Sequence, residues 1–505
     1  MATQESNAHA DLNTRLDRMR FRADPLADRT IASILGPWAQ LPNAAAAAQI
    51  AAIGNWAAQA ATWQTQWQKL AAVSRAFAGW SDNRAIDGWQ ATGAGLPADI
   101  GAALGAYLEA ARALPAWADH AKLERAETLF MDYGALSVTM LFCSSLPECY
   151  VIPDLAAVLH STGQLEKRTD YRIRSTGAMI FPVMMQGGLT APDGGGIAQI
   201  LKVRLIHATI RNLILRGSPE AALSTLSAST ATQDGQPAAS AGIVPPLPIS
   251  ATADMHQTLF AHGWNPREEG LPCDQEELAY TLLTFSYVFL RSMRKLGLGL
   301  SRADEEAYLH TWNVAGHVLG IERELMADTM EGAQTMFDCM QSRGRADRLA
   351  KPAAFDPRPA LGNALMQSME DVIPFGSVKP FPVLLTRHLC GRASSRDLGL
   401  NGPVSWLSQL LFAGFMYIVR ALDSLVRVVV PEFSIARLMT RVLGYHVIAK
   451  LLMDETRPLK LPQHALSQAS TAIHSWSVDA KAPTWMNTLE DRVTIKGSWA
   501  APAQK

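Results

Sequence analysis

The chain has 505 residues, of which 48% are hydrophobic and 18% are charged, with 45 Lys and Arg against 46 Asp and Glu. This balance argues against a nucleic-acid-binding protein, which needs a basic excess to neutralise phosphates, and the apolar content excludes a disordered chain. The five cysteines show no CxxC spacing, which argues against a disulfide framework or a structural zinc site. The polar N-terminus lacks the order of a secretory signal, so we expect a cytoplasmic, reducing location.

Apolar periodicity predicts helices along most of the chain, at 99–114, 120–146, 153–163, 196–216, 275–297, 303–341 and 361–455. A Trp-rich stretch over 43–80 predicts core-facing aromatic side chains, and strand signals are nearly absent. The Ser/Thr/Ala/Pro-rich stretch 217–252 predicts a long loop or a lid. The sequence therefore predicts an all-α protein.

The most apolar run extends from Leu398 to Val419 without a charged residue. Polar residues and a proline interrupt its first half, which argues against a membrane span of about 18 or more apolar residues. Two interpretations stay open for it: a helix buried in the core, or a helix that lies on a bilayer surface.

One helical segment places Arg204, His207 and Arg211 at positions i, i+3 and i+7, so that all three project from one face. The residues between them are largely apolar, which predicts a helix buried on most sides. A single imidazole between two guanidiniums suits an axial haem ligand whose neighbouring arginines pair with the propionates. The alternative is a core histidine that is satisfied by a carbonyl.

Upstream, Arg172 and Thr176 lie one helical turn apart. Arg172 could bind an anion or an oxygen species and Thr176 could donate a hydroxyl, although each also fits an ordinary helix position. A second set, His310, His317 and Glu324, is spaced at seven residues. Successive members then lie about 10 Å apart along a helix, too far for two ligands of one metal.

These motifs resemble a known family. The runs 144–151, 159–165, 172–176 and 203–211, followed by matching segments between 284 and 400, resemble the catalytic domain of the latex-clearing proteins. These are rubber oxygenases, and the fungal oxygenase of mycophenolic acid biosynthesis belongs to the same family. The resemblance covers roughly residues 120–400 and implies a globin-like helical bundle around a haem cavity. We accordingly expect a helical extension over 1–115, a catalytic domain over 116–400 and a C-terminal helical extension over 401–505.

The family likeness also implies one non-covalent haem b and the O2-dependent cleavage of carbon–carbon double bonds in isoprenoid chains. It makes His207 the proximal iron ligand, with Arg204 and Arg211 beside it, and it places Arg172 and Thr176 on the distal side. Rubber-cleaving members carry a lysine just before that threonine, whereas this chain carries Ser175. They also use a distal glutamate as a base, for which Glu148 is the nearest candidate.

The sequence thus predicts a haem oxygenase that acts on an apolar unsaturated small molecule or lipid, with peripheral membrane contact and no nucleic-acid partner. Solid rubber is not the expected substrate, because it is extracellular. Two alternatives stay open: a non-catalytic haem-binding or sensor protein, and a helical interaction protein without a cofactor. A Soret band would exclude the second alternative, and oxygen consumption with an isoprenoid would exclude the first.

Overall fold

The computed structural model describes residues 2–39, 63–91, 95–161, 169–230, 242–247, 253–352, 355–371, 373 and 376–429. Within these ranges the chain is built from helices and contains no strand, so the prediction of an all-α fold is confirmed. A single isolated bridge joins Val244 to Trp264.

The first half of the chain contains short and medium helices. Their bounds are α1 Ala2–Met19, α2 Pro25–Leu35, α3 Gln64–Ala78, α4 Asn83–Ile86, α5 Ala98–Ala111, α6 His120–Asp132, α7 Gly134–Met140, a π-helix Leu141–Ser145, α8 Leu146–Cys149, α9 Pro153–Ser161, α10 Thr169–Met184, α11 Gly196–Leu215 and α12 Pro219–Thr230.

The second half follows the same pattern. Its helices are α13 Met255–Ala261, α14 Pro266–Glu269, α15 Gln275–Phe285, α16 Tyr287–Lys295, α17 Arg302–Val318, a 3₁₀ turn Arg323–Leu325, α18 Met330–Ala350, α19 Arg358–Glu370, α20 Phe381–Cys390, α21 Arg392–Asp397 and α22 Trp406–Val429. Capping side chains fix where several helices begin. At the start of α2 the Asp24 carboxylate accepts a hydrogen bond from the backbone N–H of Ala27, and at the start of α17 Ser301 forms a capping box with Asp304.

Helix α11 lies inside the bundle. Most of its residues are buried, and it packs against α2, α10, α13 and α17. Apolar residues from α1 through to Leu400 join one continuous core. The sequence-based interpretation of 196–216 as a helix buried on most sides is therefore confirmed.

Four regions that the periodicity predicts as helical are broken; in one of them, 361–455, the described residues form four separate helices, α19 to α22. Region 120–146 is divided at Tyr133 and then passes into the π-helix. Region 275–297 is divided at Ser286, whose Oγ donates to the Leu282 carbonyl at 2.8 Å, a bond that bends helices. Region 303–341 is divided near Gly320, whose φ of +92° suits glycine and ends the helix. Apolar spacing continues across such breaks, so periodicity alone does not reveal them.

Two further expectations need correction. The predicted loop over 217–252 contains helix α12, in which Pro219 opens the helix and Glu220 lies in its first turn; residues 231–241 and 248–252 lie outside the described part. The apolar run near residue 406 forms α22, but its described side chains are mostly exposed rather than buried. The predictions for residues 43–62 and for 430–505 fall outside the described residues.

No single helix among the described residues has the length and apolar character to cross a bilayer. One sharply bent pair, His120–Asp132 with Leu136–Cys149, satisfies those two criteria only when its members are taken together.

Candidate functional site

A tight glycine-rich turn joins α10 to α11. Gly188 lies so close to the preceding helix that a Cβ there would be 2.1 Å from the Pro182 carbonyl oxygen. The Asn83 amide donates to the carbonyls of Gly188 at 3.0 Å and Ala191 at 2.9 Å, and its oxygen accepts from Ile197 N at 3.1 Å. These contacts fix the angle at which the two helices leave the turn.

The turn makes α10 and α11 antiparallel neighbours that pack along their length. His207 lies twelve residues beyond the turn and Arg172 thirteen residues before it, while Thr176 and Arg204 each lie nine residues from it. Because both helices rise about 1.5 Å per residue, Arg172 lies near the level of His207, and Thr176 and Arg204 lie about one helical turn closer to the glycine-rich turn. Thr176 is half-buried, and the side chains of Arg172 and Ser175 lie outside the described part.

His207 is half-buried on α11, and its Nδ1 atom is shielded from solvent. Ile206, the residue before it, is 38% exposed, whereas Leu205 and Ala208 are fully buried. The imidazole therefore lies at the edge of the core. Such a place gives one nitrogen a protein environment.

The two neighbouring arginines form buried ion pairs with α2. Arg204 binds Asp24 with two hydrogen bonds, at 2.5 Å and 2.8 Å, and donates to the Val318 carbonyl at 3.0 Å. Arg211 donates to Asp28 at 2.7 Å and to the Cys273 carbonyl at 2.6 Å. Both pairs are shielded from water, so they hold α11 firmly against α2.

These pairs bear on the predicted contact with haem propionates. The N–H groups of Arg204 already donate hydrogen bonds to Asp24 and to the Val318 carbonyl. Nη2 of Arg211, in contrast, is buried without a hydrogen-bond partner among the described residues. Burial raises the pKa of Asp28 to about 6, although the charge of Arg211 acts in the opposite direction. The role of the two arginines toward propionates stays a prediction, and Nη2 of Arg211 is the donor that remains for it.

Glu148 lies in a separate buried network, directly after the π-helix. Its Oε1 accepts from Arg291 at 2.6 Å, and its Oε2 accepts from Gln341 at 2.7 Å and from Ser394 at 2.8 Å. Tyr280 donates to its backbone carbonyl at 2.8 Å. Both carboxylate oxygens are thus occupied by protein donors, and the predicted role as a base stays a prediction.

The sequence reasoning missed the partners of these charged groups. Asp24 and Asp28 are spaced at four residues on α2, a pattern that could have suggested a partner helix with two arginines. Arg291 and Gln341 lie 143 and 193 residues from Glu148 and gave no local signal.

The residues at the hairpin fit a haem better than they fit a metal site made of protein ligands alone. Among the described residues, no group of three or more His, Cys, Asp or Glu side chains could hold a metal ion. A haem iron needs only one or two side-chain ligands and an apolar surrounding. One shielded imidazole, apolar neighbours and one spare guanidinium donor meet that need.

Comparison with known proteins gives three matches. Residues 249–421 match the family described as "ER-bound oxygenase mpaB/B'/Rubber oxygenase, catalytic domain". A rubber oxygenase from Streptomyces sp. (strain K30) is 28% identical over 320 residues, which are 63% of this chain and 63% of that protein. The chain thus spans somewhat less than two thirds of the length of this curated relative.

The third match is structural. The fold is similar to that of latex clearing protein LCP in its closed state, with a TM-score of 0.50, 18% identity and 90% of each chain covered. This likeness supports the helical fold. The sequence matches confirm the resemblance predicted from the motifs: the chain is similar to the rubber oxygenases, and residues 249–421 match their catalytic-domain family.

Proposed function

We propose that this protein is a haem b-dependent oxygenase that cleaves carbon–carbon double bonds of an apolar, isoprenoid-like molecule. The observation that carries this proposal is the antiparallel hairpin of α10 and α11. It brings His207 and Arg172 near one level, with Thr176 about one helical turn away, in a chain that is similar to a rubber oxygenase.

His207 would hold the iron, and the bound haem would supply the activation of O2. Arg204 and Arg211 would fix the orientation of His207 by holding α11 against α2. Thr176 and Arg172 would orient oxygen and substrate on the opposite side. Glu148 would act as a base only after its Oε2 atom loses the hydrogen bond that it accepts from Gln341 or from Ser394.

The overall reaction would add one O2 across one double bond. The C=C bond and the O–O bond break, and two carbonyl groups form, so no further oxidant or reductant is required. An apolar substrate such as an isoprenoid lipid dissolves in membranes, so we also propose peripheral membrane contact. The five free, buried cysteines support a location in a reducing, cytoplasmic compartment.

The first test is the optical spectrum of the purified protein. We expect a Soret band, and we expect His207→Ala to lose it because no other side chain is proposed to hold the iron. His120→Ala removes an exposed imidazole from α6 and should leave the band unchanged. Full haem retention in His207→Ala would contradict the assignment.

Ser175 allows a second spectroscopic test. A serine hydroxyl is short and is a poor iron ligand, so the sixth position should be open or held by water. Titration with imidazole should therefore convert the spectrum to a low-spin form. A resting spectrum that is already nitrogen-ligated, and that resists imidazole, would contradict this prediction.

The reaction itself can be tested with squalene and its saturated analogue squalane. Oxygen should be consumed with squalene alone, and both oxygen atoms of labelled O2 should appear in the two carbonyl products. Thr176→Val should lower this rate more than it lowers haem content, whereas Thr128→Val, at an exposed site on α6, should leave both unchanged. A Soret band without oxygen consumption for any unsaturated lipid would favour a haem-binding sensor.

A further inference from the structure

Helix α22 exposes a large apolar surface. Trp406 is 75% exposed, Leu410 is 60% exposed and Tyr417 is 76% exposed, and Leu407 and Leu411 beside them are also exposed. We call these five residues the α22 apolar face. Positions 406, 410 and 417 lie within about 40° of one another around the helix, so they form one continuous stripe.

The opposite side of α22 is anchored to the protein. Phe412 and Phe415 pack against Phe381 of α20, with ring centroids 5.5 Å and 6.3 Å apart. Ser405 caps the helix by accepting from the backbone N–H of Ser408 at 3.1 Å. The orientation of the helix is therefore fixed by packing, and the apolar face points away from the core.

The described turns of α22 contain no charged residue between Trp406 and Tyr417, a length of about 17 Å. Single exposed apolar residues are ordinary, but a contiguous set of this size marks an interaction surface. A tryptophan and a tyrosine lie at its two ends, and both residue types favour the boundary between lipid and water.

Basic side chains are exposed in the segment that leads to α22. Lys379 precedes the phenylalanine on which α22 packs, and Arg392 and Arg396 are exposed on α21. We call these three residues the basic rim. Arg387 donates to the carbonyls of Leu400 and Gly402, which ties α20 to the start of α22.

The charge of this region differs from that of the whole chain. Residues 376–417 contain four Lys or Arg and one Asp, whereas the full chain has a net charge of −1. Asp397 pairs with Arg345 at 2.8 Å, and Glu370, which precedes this range, lies near Lys379. The segment that ends in the α22 apolar face is thus basic overall.

We propose that the α22 apolar face and the basic rim together dock the protein on the surface of an anionic lipid bilayer. Apolar side chains would enter the boundary between headgroups and acyl chains, and the basic rim would contact the negative headgroups. The inference rests on the proposed membrane contact and adds the surface and the lipid charge. The charge complementarity favours a bilayer over a second copy of this chain, which would bring two basic rims together.

Flotation of the full-length protein with vesicles tests the docking. We expect binding to phosphatidylcholine vesicles that contain phosphatidylglycerol, and much weaker binding to phosphatidylcholine alone. Leu410→Asp should abolish binding, whereas Leu349→Asp, at an 80% exposed leucine on α18, should leave it unchanged. Equal binding of wild type and Leu410→Asp would overturn the proposal.

The basic rim is tested by charge reversal. Lys379→Glu combined with Arg392→Glu and Arg396→Glu should weaken binding to the anionic vesicles at least a hundredfold, since each basic residue near such a surface contributes about fivefold. A matched triple change at exposed arginines elsewhere, Arg18→Glu, Arg29→Glu and Arg75→Glu, should have a much smaller effect. Similar losses of vesicle binding in the two triple variants would show that binding depends on the net charge of the protein and not on the basic rim.

A fluorescent label distinguishes a bilayer from other occupants of the face. The five native cysteines are buried, so Leu410→Cys introduces a selectively reactive thiol for an environment-sensitive dye. The emission should shift to the blue only when anionic vesicles are added. A blue-shifted emission without vesicles would overturn the proposal. Sedimentation would then show whether a second copy of the chain or the chain's own C-terminal segment covers the face.

The docking and the oxygenase reaction can fail independently. Leu410→Asp should retain the Soret band and the rate with detergent-dispersed squalene. A protein that binds vesicles but contains no haem would contradict the proposed function and leave the docking surface intact. A haem protein that turns over squalene but binds no vesicles would contradict the docking surface alone.

Discussion

Two buried glutamates lie on either side of Tyr280 and differ in how they are accommodated. Glu148 is fully buried and accepts hydrogen bonds from Arg291, Gln341 and Ser394. Glu277 is 5% exposed, and among the described residues no side chain donates a hydrogen bond to its carboxylate oxygens. The first glutamate is stabilised as part of an ion pair, whereas the second is buried without a side-chain partner.

The surroundings of Glu277 explain its protonation. It lines a small cavity of about 30 Å³ together with Asp154, Asp274 and Glu276, where Arg20 is one of two cationic residues. Burial, followed by the charge of Asp154, raises the pKa of Glu277 to about 8, and the backbone at Cys273 lowers it to a smaller extent. A carboxyl group without a side-chain partner therefore stays neutral at pH 7, and the comparison shows that burial alone does not decide its charge.

The largest effect is expected from removing the partnered carboxylate. Glu148→Ala leaves Arg291 as a buried, unpaired charge, so we expect the free energy of unfolding in urea to fall by about 3–5 kcal/mol. The double variant Glu148→Leu with Arg291→Met removes both charges and should recover most of that loss. If the double variant is as unstable as Glu148→Ala, packing rather than charge accounts for the effect.

A pH-dependent effect is expected at the carboxyl group of Glu277. Because the folded-state pKa of Glu277 is raised, its contribution to stability is complete below the unfolded-state value of about 4.5 and is lost as the pH rises toward 8. Glu277→Gln keeps the shape without the titration. The stability of wild type relative to this variant should fall by about 1.4 kcal/mol per pH unit between pH 5 and 8, then become constant.

Urea unfolding of both proteins across that pH range measures the difference. The nearby Asp274 also has a raised pKa, chiefly through burial and then the charge of Glu277, but it is present in both proteins. A difference in stability that does not change with pH would show that Glu277 is ionised in the folded protein.

The smallest effect is expected at an exposed ion pair. Arg302 donates to Glu306 at 2.8 Å on the surface of α17, where water screens the interaction. Arg302→Ala should leave the free energy of unfolding in urea nearly unchanged. A loss comparable to that of Glu148→Ala would contradict the view that burial distinguishes these pairs.

The sequence by itself determined the helical class, because apolar spacing of 3.6 residues is a local property. It also determined the family resemblance and the common face of Arg204, His207 and Arg211, since one helix carries all three. The sequence could not reveal the breaks at Tyr133, Ser286 and Gly320, where apolar spacing continues while the backbone turns.

Only the tertiary structure decided the partners of the buried charges. Arg204 and Arg211 meet Asp24 and Asp28 across 180 and 183 residues, and Glu148 meets Ser394 across 246 residues. It also decided that α22 exposes its apolar residues, which the sequence equally allowed to be buried. Periodicity specifies which residues share a face, but which face meets which neighbour depends on how the helices pack across long stretches of chain.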